Sequence, residues 1–243
     1  MIIDAKGLHY KELNERIREA VKSGAKEIKL VNVVGQRYIA DGLRGEVSLE
    51  VNGVPGNDLG AFMDGPTVVV RGNGQDHIAN TMNAGKIVVH GDAGDVLGYG
   101  MRGGKLFIKG DVGYRVGIHM KSYRDKIPAM VVGGRARDFF GEYMAGGTVI
   151  LLGLNADGGE IAGNYLGTGM HGGVIYARGR LADYQLGKEV AVLKLDDDDW
   201  KTIEALVGEF SSDLDLDAAK ILDAEFLKIA PVSARPYGKL YAY

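Results

Sequence analysis

The chain has 243 residues, 46% apolar and 25% charged, with a net charge of -3 and no cysteine. That composition excludes disorder, a basic nucleic-acid footprint, disulfides, thiolate zinc sites, iron–sulfur ligation by this chain and a cysteine nucleophile. Glycine is the outlier at 38 residues, about 16% against a usual value of roughly 7%, and points to repeated turns.

The opening Met1-Ile2-Ile3-Asp4-Ala5-Lys6 lacks the basic stretch and apolar core of a signal peptide, and no apolar run approaches a membrane span of roughly 18 residues. A cytoplasmic protein with no membrane or nucleic-acid partner is expected. Residues 10–22 set Leu13, Ile17, Ala20 and Val21 on one stripe, which predicts a helix closed by Ser23-Gly24. Ile28 to Val34 and Tyr38 to Ala40 are strand-like.

From there a repeat dominates. A shift of 19 residues superimposes Val68-Val69-Val70-Arg71-Gly72, Ile87-Val88-Val89-His90-Gly91 and Leu106-Phe107-Ile108-Lys109-Gly110. The glycines that follow the apolar runs are Gly53, Gly72, Gly91, Gly110, Gly134 and Gly153, and Gly179 closes a weaker copy. Seven residues after these anchors stand Gly60, Ala79, Gly98, Gly117 and Gly141. Ten after them stand Met63, Met82, Met101, Met120 and Met144, joined after an insertion by Met170. Positions two and four before each anchor are apolar throughout, as in Val68 and Val70 or Ile87 and Val89. Period-two burial with glycine corners predicts a mainly β chain, a parallel β-helix of about seven coils over residues 43–188. The methionines read as an interior core ladder, since thioethers fill irregular gaps and no histidine column accompanies them.

Position three before the anchor points outward, yet it reads Glu50, Val69, Val88, Phe107, Val131, Ile150 and Tyr176. So large an apolar strip needs a cover, either this chain's own terminal helices or another subunit. Gly98-Tyr99-Gly100-Met101-Arg102-Gly103 and Gly167-Thr168-Gly169-Met170-His171-Gly172 match a dinucleotide fingerprint literally. Each precedes a strand run rather than a helix, so no nucleotide site is expected. The five histidines have no metal-ligand spacing, and Asp92 and Asp111 read as ordinary turn aspartates.

Insertions interrupt the repeat at about 121–129, with Lys121, Arg124, Asp125 and Lys126, and at about 154–167. Their mixed charge fits a partner contact, as do Arg235 and Tyr237 near the end of the chain. After Lys188 the glycines thin out. Asp196 to Asp199 read as a helix start, followed by helical patterns at Trp200 to Phe210 and about Asp217 to Lys228. Residues 1–42 and 189–243 are therefore expected to cap the β-helix, the latter as a helical extension, because open ends expose unpaired strands.

The stretches Gly91 to Gly104 and Gly110 to Met120 resemble the glycine-rich repeat (GXGXG) domain at the C-terminus of the glutamate synthase large subunit. The likeness covers about residues 43–188, reaches back to Gly35-Gln36-Arg37, and includes Phe226-Leu227-Lys228-Ile229-Ala230-Pro231, which resembles the family's closing helix. The resemblance implies a right-handed parallel β-helix with no catalytic side chains and no cofactor of its own. It also implies a scaffold subunit spacing a glutaminase (amidotransferase) chain from an FMN-dependent, iron–sulfur-bearing synthase chain, with FMN and the cluster on those partners. Stand-alone β-helix subunits of formylmethanofuran dehydrogenase and methylglutamate-synthase-like complexes offer an alternative assembly. An independent carbohydrate-active β-helix enzyme is a third reading, and it predicts acidic and basic side chains clustered on one outer face near the insertions.

Overall fold

The computed structural model describes residues 1–232. In chain order its elements are β1 (Ile2–Asp4), α1 (Tyr10–Lys22), β2 (Glu27–Val34), β3 (Ser48–Val54), β4 (Asp64–Val70), β5 (Ala84–Val89), β6 (Lys105–Ile108), β7 (Ala129–Val132), β8 (Ala145–Leu151), β9 (Gly172–Arg178), β10 (Val190–Leu193), α2 (Asp197–Leu214), α3 (Ala218–Leu222) and β11 (Phe226–Pro231). One sheet holds all the strands in the order β1-β2-β3-β4-β5-β6-β7-β8-β9-β11-β10. Pairing is parallel from β1 through β9, so the chain winds as a parallel β-solenoid of about six turns, the laps between β3 and β9.

The register follows the sequence columns. Val68, Ile87, Leu106, Met130, Val149 and Ile175 are successive partners, as are Val70, Val89, Ile108, Val132, Leu151 and Ala177. Both columns are fully buried in the interior core. Such stacking satisfies the backbone of every inner strand along the axis while the side chains fill the tube.

The second wall of each lap is not a strand. Positions five, seven and nine after the anchor are left-handed, as at Val96 (φ 59°), Gly98 (φ 66°) and Gly100 (φ 56°). Their N–H groups alternate in direction: Val96 donates to Tyr114 O of the next lap at 2.8 Å, Gly98 to Ile78 O of the preceding lap at 2.8 Å, and Gly100 to Ile118 O at 2.9 Å. Tyr38 (φ 61°) and Ala40 (φ 62°) begin this wall, which corrects their reading as a strand. On this wall adjacent residues such as Ile39 and Ala40, or Ile78 and Ala79, are both buried, a pattern that three residues are too few to separate from a strand.

The outward apolar column is covered by the chain itself. Val88, Phe107, Val131, Ile150 and Tyr176 are buried with Ile203, Val207, Phe210 and Leu214 of α2. Phe107 and Phe210 meet edge-to-face at 5.8 Å. Of the two covers weighed from sequence, the terminal helix is the one present. Lys86 adds ion pairs to Glu209 (3.1 Å) and Asp213 (2.7 Å), and Lys105 also binds Glu209. These pairs are partly exposed and worth about 1 kcal/mol or less each, so the apolar contact decides the docking.

Asp196 caps α2, its Oδ1 accepting from Asp198 N and Asp199 N at 3.0 Å, while Asp199 Oδ2 accepts from Asp196 N at 2.9 Å. α1 buries Leu13, Ile17 and Ala20 at the first end of the interior core. The other end differs from expectation. Helical caps were expected at both ends, but β11 pairs antiparallel with β9, and β10 with β11, while α2 lies along the side. Phe226–Pro231 is thus a strand, not a closing helix, and α3 ends at Leu222 rather than Lys228. The free edge of β9 supplies the hydrogen-bond partners that dictate this outcome.

One buried polar cluster ties β9, β11 and α2 together. Tyr176 Oη donates to Asp199 Oδ1 at 2.6 Å, and Lys228 Nζ donates to Asp199 Oδ2 at 2.7 Å. Burial and the Asp199 charge push the Tyr176 phenol up. Burial alone would raise the Asp199 carboxyl, but the Lys228, Tyr176 and Asp196 N–H bonds outweigh it and hold the group below the ordinary carboxylate value. A depressed carboxyl stabilises the fold above its unfolded pKa of about 3.9, and the gain is lost as pH falls through the lower folded value. Thermal melts should therefore show Asp199→Asn less stable than wild type at pH 7, with the gap closing below about pH 4. A gap independent of pH would contradict this assignment.

Candidate functional site

Most residues singled out from sequence lie in the frame of the solenoid. Met63, Met82, Met101, Met120, Met144 and Met170 are all buried in the interior core among the inward valines and isoleucines. The anchor glycines serve two purposes. Gly53 (φ 126°) and Gly153 (φ 56°) are left-handed, but Gly72, Gly91, Gly110 and Gly134 are not. At Gly91, Gly110 and Gly134 a Cβ would collide with a side-chain oxygen of the preceding lap, from Asn73, Asp92 and Asp111 respectively.

Those oxygens form a ladder along one corner. Asn73 Oδ1 accepts from Asp92 N (3.0 Å), Asp92 Oδ1 from Asp111 N (2.8 Å), and Asp111 Oδ1 from Arg135 N (2.6 Å). A second ladder runs beside it: Asp76 Oδ1 accepts from Asp95 N (2.9 Å) and Asp95 Oδ1 from Tyr114 N (2.8 Å), and farther along Asp138 Oδ1 accepts from Asn164 N (2.8 Å). Asp92 and Asp111 thus do more than mark a turn; each locks one lap to the next through a charge-assisted bond. Burial raises the Asp111 carboxyl, yet the Arg135 N–H, Asn155 and the Arg135 guanidinium together hold it below the usual range.

This corner also carries the mixed acidic and basic cluster that an independent enzyme would need. A groove of about 380 Å³ is lined by Asp111, Arg135, Arg137, Asp138 and Glu160 beside the second insertion. Asp111 and Asp138 each give Oδ1 to a backbone N–H of the next lap, so both support the stack. Among the described residues, no three acidic or histidine side chains converge as a metal site. The two fingerprint matches sit on the left-handed wall and lead into β6 and β9, and no helix N-terminus follows either. Partial burial and the charges of Arg71 and Lys109 hold His90 below the ordinary imidazole value, and its Nε2 takes a hydrogen bond from Arg71 at 2.7 Å.

The first insertion builds a different kind of surface. Tyr123 and Lys126 exchange two 3.0 Å backbone bonds, making a tight hairpin that presents Lys121, Arg124 and Lys126 to solvent. Lys126 reaches back to Asp64 at 3.4 Å, so the hairpin lies along the corner of the solenoid. Arg235 and Tyr237 fall outside the described residues. Sequence reasoning missed the neighbours of this hairpin on the left-handed wall. Phe62, Tyr99, Tyr143 and Tyr165 are 55%, 41%, 45% and 52% exposed. His119 stacks on Tyr143 at 5.3 Å and meets the edge of Tyr99 at 5.8 Å; Phe139 stacks on Tyr165 at 5.0 Å. The missed signal was a column nine after the anchor that reads Phe62, Thr81, Gly100, His119 and Tyr143. Its mixed chemistry hides a common outward direction.

Comparison with known proteins agrees with this architecture. An uncharacterized protein of Methanocaldococcus jannaschii is 50% identical over 250 residues, covering 99% of this chain and 96% of that one. Ferredoxin-dependent glutamate synthase 2 of Synechocystis sp. is 30% identical over 163 residues, which are 64% of this chain and 10% of that enzyme. The chain thus corresponds to a small part of the longer protein. Among solved structures, a chain of the formyltransferase/hydrolase complex from Methylorubrum extorquens, determined with methylofuran, superposes with a TM-score of 0.65 at 21% identity. That match covers 87% of this chain and 76% of the other, and it concerns the fold. Among the described residues no helix is long and apolar enough to cross a membrane. Residues 11–232 match the family described as the GXGXG motif, and with the repeat, the left-handed glycine column and the glutamate synthase similarity pointing the same way, the chain belongs to that family.

Proposed function

We propose that this chain is a non-catalytic scaffold subunit of a glutamate-synthase-type complex, holding a glutaminase chain and an FMN- and iron–sulfur-bearing synthase chain at a fixed separation. The observation that carries the reading is the 163-residue similarity to ferredoxin-dependent glutamate synthase 2 within a chain that is mostly solenoid. A stack locked by in-register strands and two side-chain ladders is stiff, and stiffness is what positioning two active sites requires. In this reading the winding is right-handed with seven coils, residues 1–42 and 189–243 flank a 43–188 solenoid, and FMN and the cluster reside on the partner chains in the cytoplasm. The complex would move the amide nitrogen of glutamine to 2-oxoglutarate and reduce the product to glutamate.

A second reading is favoured by the solenoid likeness at a TM-score of 0.65: the same scaffold role in a formylmethanofuran dehydrogenase or methylglutamate-synthase-like assembly. Affinity capture of the tagged chain from its native host, followed by mass spectrometry, separates the two. Recovery of an amidotransferase and a flavoprotein synthase supports the first, and recovery of formyl-transferring chains supports the second. A chain that elutes alone at 26.0 kDa overturns both.

A further inference from the structure

We infer that the aromatic wall beside the 121–127 hairpin is the docking surface for a different protein chain with an acidic contact face; the inference rests on the subunit reading above. Of the two outer walls, the strand wall is closed by α2, whereas the left-handed wall carries its aromatic side chains in solvent. From the lap of Phe62 to that of Tyr165 there are five lap spacings, a strip about 24 Å long. Monomeric proteins rarely leave such clusters of large side chains in solvent, and here Tyr99, His119 and Tyr143 touch in series while Phe139 and Tyr165 stack beside them.

The backbone of the wall sets the direction of these side chains. Phe62 (φ 56°), His119 (φ 55°), Phe139 (φ 64°), Tyr143 (φ 52°) and Tyr165 (φ 63°) are all left-handed. Such a conformation costs roughly 1–2 kcal/mol for a residue with a Cβ. Gly100 and Gly169 occupy the column of Phe62, His119 and Tyr143 at φ 56° and 67°, so the fold accepts glycine there without strain. The outward side chains of Phe62, His119, Tyr143 and Tyr165 gain little burial within this chain. A surface that covers them supplies the missing gain.

The side chains are also ordered in advance. Tyr143 lies on the bare face of Gly169, where a Cβ would strike its ring, and His119 stacks on its other side with an interplanar angle of 12°. Arg115 sits 4.5 Å over the Phe139 ring and pairs with Glu142 between the two columns. Rotamers fixed before contact lower the entropy cost of association. Tyrosine and arginine are the side chains most enriched where binding energy concentrates.

Charge selects the occupant. Among the described residues Lys121 and Arg124 make no ion pair, and Asp125 is the single carboxylate of the hairpin, so the rim is basic. The complementary surface is acidic. This chain's own exposed acids include Glu12, Glu15 and Glu19 of α1 as well as Asp197, Asp198 and Glu204 of α2, and α2 is packed on the strand wall. Joining them to the hairpin of a second copy would make a head-to-tail contact between different patches, which closes only where the rotation generates a ring. A different chain avoids that.

The test uses the full-length chain expressed in its native host with a benzophenone side chain placed at Tyr143, and separately at Glu204 on α2. The expected result is a crosslink from position 143 to another chain, at a peptide rich in aspartate or glutamate, and no such product from position 204. The triple variant Lys121→Glu, Arg124→Glu, Tyr143→Ser should retain its melting temperature to within a few degrees and lose captured partner by roughly 30-fold. Crosslinks from position 143 to a second copy or to residues 233–243, crosslinks confined to position 204, or undiminished capture by the variant would each overturn the inference. A partner crosslinked at 143 that belongs to some other enzyme class leaves the docking surface standing and removes the proposed function. A chain that captures nothing removes both.

Discussion

Replacing Phe210 with alanine is expected to destabilise the fold by about 3–5 kcal/mol, the range for deleting a fully buried phenylalanine ring. The ring is completely inaccessible, meets Phe107 edge-to-face at 5.8 Å, and belongs to the cluster joining α2 to Val88, Val131 and Ile150. Its Cζ stands so close to Gly133 that a Cβ there would lie at 3.1 Å, so on that side no side chain can fill the space. Denaturant titration should show a lower midpoint with little change in slope. A second effect follows from where the cavity lies. Loosening α2 bares the outward ladder of a parallel sheet, and an exposed apolar strand face promotes association. The variant should therefore precipitate on heating at concentrations where wild type melts cleanly. A loss below about 1 kcal/mol would mean that the ion pairs of Lys86 and Lys105, and not the apolar contact, hold the helix.

The same ladder shows what the sequence made legible and what it hid. Residues such as Val69, Val88 and Phe107 share one column because a 19-residue lap brings them into register, and the strands pair in that register. Spacing alone was enough, since side-chain direction in a strand has period two. Spacing could not tell what covered the ladder, because α2 follows the last lap and could equally have served as an end cap. The left-handed wall was hidden for another reason. Glycine normally marks positive φ, yet five residues after the anchor stand Asp58, His77, Val96, Arg115 and Phe139, all left-handed and none glycine. The wall imposes the conformation on whatever residue arrives there, through bonds to the laps above and below. The aromatic strip was missed with it, since its outward direction depends on that backbone. Phe226 to Pro231 failed in the opposite sense: the resemblance supplied a helix, and the open edge of β9 converted it to a strand.

Substitution of Gly98 by valine tests that wall from the inside. Gly98 has φ 66° and is buried, and a Cβ built on it lies 2.5 Å from Met130 Cε, the next inward column. Two penalties combine. Left-handed backbone costs roughly 1–2 kcal/mol for a residue with a Cβ, and forcing extra volume into a filled core adds about 1–3 kcal/mol. Val96, two residues earlier, already carries φ 59°, so left-handed valine is attainable in this fold when the side chain faces outward. At Gly98 it faces the core. The expected loss is about 2–5 kcal/mol, or a melting temperature lower by about 5–15 °C for a chain of this size. Alanine at the same position should be much milder. Ala79 fills the equivalent place one lap earlier at φ 60°, and the terminal methyl of Met130 can swing aside for a single carbon. A large gap between the two variants would locate the penalty in inward volume. Equal melting of wild type, the alanine variant and the valine variant would show that position 98 does not face the interior, and the winding of the left-handed wall would have to be redrawn.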